Sequence, residues 1–225
     1  MKEPHELLRV AVVTGGHPFD VVGFQDFWSD MPGVKCYIQH LEHYCSSSEK
    51  EQDRYEAVVF YNMTDAVPSD KEQPWWKGAP ETALRRMTKK GVGVVIWHHA
   101  LVAFPGWEFW DLVCGHSRRT LKPHFDQEVN HSVQDVDHPI LRGLPRHFSL
   151  IDETYEMAEP EAEGNHVLLT TDHPDSLRSQ VWLRECGESR VLCLIPGHDH
   201  HTWNAPEFRQ LFSQGIQWVA RRRVL

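Results

Sequence analysis

A chain of 225 residues is long enough to fill one large hydrophobic core without disulfide or metal staples, and it reads as a single domain over 1–225. Its 23 basic and 32 acidic residues leave a net charge of -9, which argues against a phosphate backbone or an anionic membrane surface as the main partner. The five cysteines are odd in number and lack C-x-x-C spacing, so neither a disulfide framework nor a zinc ribbon is indicated. Met1 to Glu6 lacks an apolar signal core, and no segment approaches the roughly 20 apolar residues that span a bilayer, so a soluble cytoplasmic protein is expected. The 16 histidines suggest metal or proton chemistry, and the 9 tryptophans suggest flat ligands such as sugars.

In chain order, Leu8 to Thr14 predicts a first strand, and Gly15-Gly16-His17-Pro18-Phe19-Asp20 the turn after it. Two glycines let the backbone approach something closely, and His17 sits on a strand-to-helix loop of the kind that carries chemistry. Phe24, Phe27, Trp28 and Met31 recur at helical spacing between Val21 and Met31, giving one apolar face. Val34 to Ile38 and Tyr55 to Tyr61 read as strands, joined through the polar stretch Ser46 to Glu51, in which no chemistry is expected. Pro68 to Gly78 is irregular, and its Trp75 and Trp76 read as the cover of a sheet edge, with the rim of a pocket as the alternative. Pro80 opens a helix that runs to Lys90 with Leu84 and Met87 inward.

Gly91-Val92-Gly93-Val94-Val95-Ile96-Trp97-His98-His99-Ala100 is the stretch around which the rest is organised: an apolar strand covered on both faces that ends abruptly in His98 and His99. Ligands of open α/β sheets bind at the carboxyl ends of such strands, although adjacent side chains diverge and only one of the two histidines should face the site. A short helix follows within Gly106 to Gly115, and the helix–strand alternation to this point argues for a parallel sheet with helices on both faces. Glu128 to Asp135 then alternates like a strand, and Asp137 to Ile140 is a turn. Asp152-Glu153-Thr154-Tyr155-Glu156 has the pattern of a solvated turn, with a functional cluster of two carboxylates and a phenol as the alternative. His166 to Thr170 and Arg190 to Ile195 read as the last two strands, with Trp182 between them. The second ends in Pro196-Gly197-His198-Asp199-His200-His201. Pro206 to Val219 closes the chain as an amphipathic helix, and the basic run Arg221 to Arg223 at its end complements the helix dipole.

The polar candidates at strand ends are His17, His98, His99, Glu153, His198 and Asp199, with His116, His124 and His138 on loops nearby. Imidazoles and carboxylates converging on one cleft could bind a divalent metal or act as acid and base. There is no H-E-x-x-H, no G-x-S-x-G elbow and no Walker loop, and Gly15-Gly16 does not complete G-x-G-x-x-G.

The ordered set Gly15-Gly16-His17, Val94-Val95-Ile96-Trp97-His98, Trp107-Glu108-Phe109, His124, Asp137-His138-Pro139-Ile140, Asp152-Glu153-Thr154-Tyr155, Trp182 and Gly197-His198-Asp199 resembles the ThuA-like family, named for trehalose utilisation. The resemblance covers nearly the whole chain. It implies a flavodoxin-like three-layer αβα sandwich with a mainly parallel sheet, as in class I glutamine amidotransferases, and a role in carbohydrate metabolism. Those amidotransferases need a cysteine nucleophile at the elbow after the central strand, where this chain has His98, so glutamine hydrolysis is not expected.

The expectation is an enzyme acting by hydrolase- or lyase-like chemistry on a sugar or ketosugar glycoside. His98, Glu153 and His198 would be catalytic, and His17, Tyr155, Trp182 and Asp199 would bind substrate, Trp182 by stacking on the ring. A divalent metal, zinc first, would sit on His98, His124 and His198. The alternative is a non-catalytic sugar-binding or regulatory module, and a third reading leaves the histidines scattered over the surface. The expected partner is a small-molecule carbohydrate, with no nucleic acid and no membrane, and a homodimer is the commonest assembly to expect.

Overall fold

Residues 7–222 are described by the structure, a computed structural model; residues 1–6 and Arg223 of the basic run lie outside them. The strands are β1 (Leu8–Gly15), β2 (Val34–His40), β3 (Ala57–Asn62), β4 (Gly93–Trp97), β5 (Lys122–Val133), β6 (His147–Glu156), β7 (His166–Thr171), β8 (Ser179–Cys186) and β9 (Ser189–Leu194). The helices are α1 (Val21–Ser29), α2 (Leu41–Ser46), α3 (Glu49–Gln52), α4 (Pro80–Lys89), α5 (Glu108–Cys114), α6 (His200–Trp203) and α7 (Pro206–Val219). The nine strands of the described residues form one sheet in the order β2-β1-β3-β4-β9-β8-β7-β5-β6.

The expected mainly parallel sheet is corrected to a mixed one. Four pairings are parallel, joining β2, β1, β3, β4 and β9, and four are antiparallel, joining β9, β8, β7, β5 and β6. Helices separate the strands as far as α5, which permits parallel crossovers. From Lys122 the strands follow one another without an intervening α-helix, and such strands pair antiparallel.

The parallel half is buried on both faces because its sequences are apolar at nearly every position. In β1, Val10 and Val12 join one apolar cluster with α1 and α7, while Ala11 and Val13 join the other with α2, α4 and α5. The first cluster centres on Trp97, whose ring lies 4.5 Å from both Tyr61 and Phe212 and 5.5 Å from Phe24. Its indole N–H donates to the Pro196 carbonyl at 3.1 Å, which ties the end of β4 to the segment leaving β9.

Several local expectations change. The polar stretch after β2 carries α2 and α3, and Ser48 with Glu51 forms a capping box that starts α3. The serine-x-x-glutamate signal for it is present in the sequence. The segment around Trp182, expected to lie between strands, is β8, and Asp152 to Glu156 is the end of β6 rather than a solvated turn. Trp75 and Trp76 do not cover an edge: they are 87% and 50% exposed on a single 3-10 turn. Arg221 and Arg222 lie just past α7, where they bond the Glu188 carbonyl and the Glu56 carboxylate. No helix among the described residues is long and apolar enough to cross a membrane.

Candidate active site

Three strand ends meet at the carboxyl side of the parallel half. Directly after β4, His98 turns into the left-handed region at φ 55 and opens a 3-10 turn over His98–Val102. That backbone costs about 1 kcal/mol for a residue with a Cβ and persists only where neighbours fix it. Here the fixing contacts are a 2.5 Å hydrogen bond between His98 Nδ1 and the Ile195 carbonyl and the Tyr155 ring at 4.8 Å. From β9 the chain passes through Gly197 at φ 124, where any Cβ would stand 1.9 Å from the Trp97 indole nitrogen, and then presents His198. Glu153 arrives from β6, the far edge of the sheet, because the β5–β6 hairpin pairs with β7 only over residues 131–133 and its remaining length reaches back over the site.

Glu153 Oε2 lies 2.7 Å from His98 Nε2 and 3.0 Å from His198 Nδ1, and those two nitrogens are 3.2 Å apart. The carbonyl of Ile195 can only accept, so His98 Nδ1 carries a proton and, in the neutral ring, His98 Nε2 directs a lone pair at the carboxylate. A proton shared between the two groups, or a cation among the three atoms, satisfies that contact. Glu153 is 8% exposed; burial pushes its carboxyl up, but hydrogen bonds from His198 and His98 hold it at about 2. The same bond from Glu153 raises His198 above the ordinary imidazole value.

Asp152 fixes this geometry without belonging to the trio. Its carboxylate accepts from the backbone N–H groups of Gly197 at 2.7 Å, His198 at 3.0 Å and Glu153 at 2.8 Å, so one buried side chain binds the β6 segment to the β9 loop. Tyr61 adds a hydroxyl hydrogen bond to the His198 carbonyl at 2.7 Å. Neither role is visible in the sequence, since both depend on which loop lies against which strand.

The remaining candidates divide by place. The His17 ring lies tilted against His99, with centroids 4.3 Å apart, and 6.2 Å from His198, on a loop whose Gly16 comes so near Met63 that a Cβ would sit 2.2 Å from its carbonyl oxygen. His99 diverges from His98 and lies against Tyr61, and burial holds it neutral, with a pKa of about 2. Asp199 caps α6, accepting from the His201 N–H at 2.9 Å.

Three expected roles are corrected. Trp182 is fully buried in the core with its N–H on the Cys114 carbonyl, so it cannot stack on a substrate. Tyr155 is 2% exposed and packs beneath His98, which makes it a support rather than a contact for sugar hydroxyls. His124 does not join His98 and His198: it groups with Glu156 and Asp175, and Glu153 is the third member of the His98 set. His116 pairs with Glu161, and His138 caps a 3-10 turn. Two concavities, one of about 480 Å³ beside Arg209 and Gln217 and one of about 150 Å³ beside His40 and Phe104, include none of the trio. The convergence of the three side chains, not cavity size, marks the site.

The donor set of two imidazoles and one carboxylate suits zinc with an open position for water or substrate. Ligand atoms around a tetrahedral ion with bonds of about 2.1 Å stand about 3.4 Å apart, so the trio would spread by a few tenths of an ångström to hold one. All five cysteines are free, and none belongs to the His98 set; Cys114 and Cys193 are fully buried, and burial pushes both thiols up.

Residues 37–219 match the ThuA family, described as trehalose utilisation. Among solved structures, a protein described as ThuA-like from Parabacteroides merdae superposes with a TM-score of 0.76 at 17% identity, over 95% of this chain and 90% of that one. A second, from Bacteroides uniformis, gives 0.73 at 16% identity over 97% and 94%. A Thermoplasma acidophilum protein described as part of a GMP synthase gives 0.61 at 16% identity over 96% of both chains, so the fold is shared beyond proteins described as ThuA-like. Comparison with curated proteins gives no match. With a family match over most of its length and ThuA-like structures superposing on nearly all of it, the chain belongs to the ThuA family.

Proposed function

We propose that this chain is a carbohydrate-metabolism enzyme that cleaves or transforms a sugar or ketosugar glycoside, without glutamine amidotransferase activity. The observation that carries this reading is the meeting of His98 Nε2, Glu153 Oε2 and His198 Nδ1 within 3.2 Å at the carboxyl ends of β4 and β9. The family's description, trehalose utilisation, supports a carbohydrate as the substrate class. Glu153 holds His198 Nδ1–H, which leaves His198 Nε2 as the free nitrogen of a half-buried ring. In that tautomer His198 takes a proton from water, or from a carbon beside a ketone, and returns it to the leaving oxygen. Glu153 orients the ring and stabilises the imidazolium that forms, as the carboxylate does in other acid–base triads. His17 and Asp199, both partly exposed, would bind sugar hydroxyls. A divalent ion, zinc by the chemistry of the donors, would displace the His198 Nδ1 proton, rest on His98, Glu153 and His198, and supply Lewis acidity in place of that acid–base role.

An imidazole in a left-handed elbow where an amidotransferase needs its thiol argues against glutamine chemistry. That replacement is also what favours the second reading, a sugar-binding module that has lost its nucleophile. Separate apolar clusters around α1 with α7 and around α2, α4 and α5 support the flavodoxin-like three-layer arrangement. Five free cysteines support a reducing, cytoplasmic setting.

The test is turnover of trehalose, and of trehalose carrying one ring ketone, by untagged protein together with elemental mass spectrometry. His198→Ala and Glu153→Gln should each lose about 10²-fold or more in turnover with circular dichroism unchanged. About one equivalent of zinc or a similar ion, reduced in either variant, would assign the trio to a metal. Wild-type turnover retained in His198→Ala would overturn the assignment, and sugar binding without turnover would move the chain to the second reading.

A further inference from the structure

Trp182 lies in the core, out of reach of any sugar ring, yet one aromatic beside the trio is open to solvent. Resting on the carbohydrate reading above, we infer that Phe125 is the platform on which a pyranose ring of the substrate stacks, next to His198. Phe125 is 56% exposed, and its ring lies 5.7 Å from that of His198 in an edge-on arrangement of 68°. The other rings against His98 and His198 differ: Tyr155 and His99 are buried, and His17 is polar.

The backbone beneath Phe125 is specialised. His124 pairs with Thr154 and Gln127 with Asp152, so Phe125 and Asp126 together face the single residue Glu153. This is a β-bulge directly across from the carboxylate of the trio, with Asp126 in the left-handed region at φ 56. Gln127 pins it by donating its side-chain N–H to the Phe125 carbonyl at 2.5 Å. Bulges kink a strand and re-aim its side chains, and they recur beside active sites for that reason. An exposed phenyl ring held there presents an apolar face that matches the C–H face of a pyranose, while the sugar's hydroxyls remain free for His17 and Asp199.

Calorimetric titration with trehalose and with its mono-ketone tests this in the full chain, comparing wild type with Phe125→Ala, Phe125→Tyr and Trp75→Ala. Trp75 serves as an exposed aromatic elsewhere on the surface. Phe125→Ala should bind the sugar about five- to tenfold more weakly, Phe125→Tyr within about twofold of wild type, and Trp75→Ala like wild type. Equal binding by Phe125→Ala and wild type overturns the inference and leaves the carbohydrate reading intact; an equal loss in Trp75→Ala overturns it as well. A wild type that binds neither sugar overturns both together.

Discussion

The two halves of the sheet are built by different rules, and the site lies where they meet. In the parallel half every residue of β3 and β4 is buried, and their apolar side chains are divided between two clusters, one shared with α1 and α7 and the other with α2, α4 and α5. In the β5–β6 hairpin, burial alternates along β6 from His147 to Ile151 and then becomes continuous over Asp152, Glu153, Thr154 and Tyr155. That change marks the point where the hairpin leaves a half-solvated sheet and folds against the β4 and β9 ends. The parallel half supplies stability and two histidines held at strand ends; the hairpin supplies the charge that makes them a site. Ligands of open α/β sheets commonly lie at carboxyl strand ends, and here an antiparallel arm completes that location.

Breaking the parallel half should have the largest effect. Trp97→Ala removes the centre of the aromatic cluster and should destabilise the protein by about 3–5 kcal/mol, read from urea unfolding. Next comes the joint between the halves. Asp152→Ala leaves three backbone N–H groups without their acceptor, so about 3 kcal/mol should be lost along with the placement of His198 and Glu153. If stability fell without loss of turnover, the joint would not be what positions the site.

Acid should act on the root of the arm through His131, which is 1% exposed on β5 and which burial holds at a pKa of about 4, against an ordinary 6.5. Between those values the unfolded chain binds a proton that the folded chain does not, so stability falls as pH drops from 6.5 to 4 and levels off below. The loss attributable to this group is at most about 3 kcal/mol, and His131→Phe should flatten the stability profile across that window. The smallest effect belongs to the tip of the arm: Lys122→Ala breaks an exposed 3.0 Å pair with Glu156 and should leave the urea midpoint unchanged within error. A clear shift there would mean that the arm is held by surface charge as well as by Asp152.

Legibility in the sequence follows the same division. Strands β1, β3 and β4 stand out as continuous apolar runs, and α1, α4 and α7 as amphipathic periods ended by recognisable signals, because local pattern and tertiary burial agree there. Strand β8 does not stand out, although Gln180 to Leu183 is buried throughout, and its Trp182 reads locally like a ring free to stack. The end of β6 is equally hidden, because two adjacent carboxylates resemble a solvated turn. Burying them is tolerable only with partners contributed from elsewhere in the chain: backbone N–H groups for Asp152 and two imidazoles for Glu153. The Phe125 bulge leaves no local signal either, since a bulge is a relation between two strands rather than a property of one.

By itself the sequence determined strands β1, β3 and β4 and the position of histidines at strand ends, because continuous apolar runs bounded by glycine and proline are local facts about strands and turns. Tertiary structure alone decided that His98 rather than His99 faces Glu153, that His124 belongs to another group, and that Trp182 is core while Phe125 stands beside the site. The physical reason is register. A strand's residues alternate faces with period two, and which face meets which loop is fixed by pairings between segments far apart in the chain.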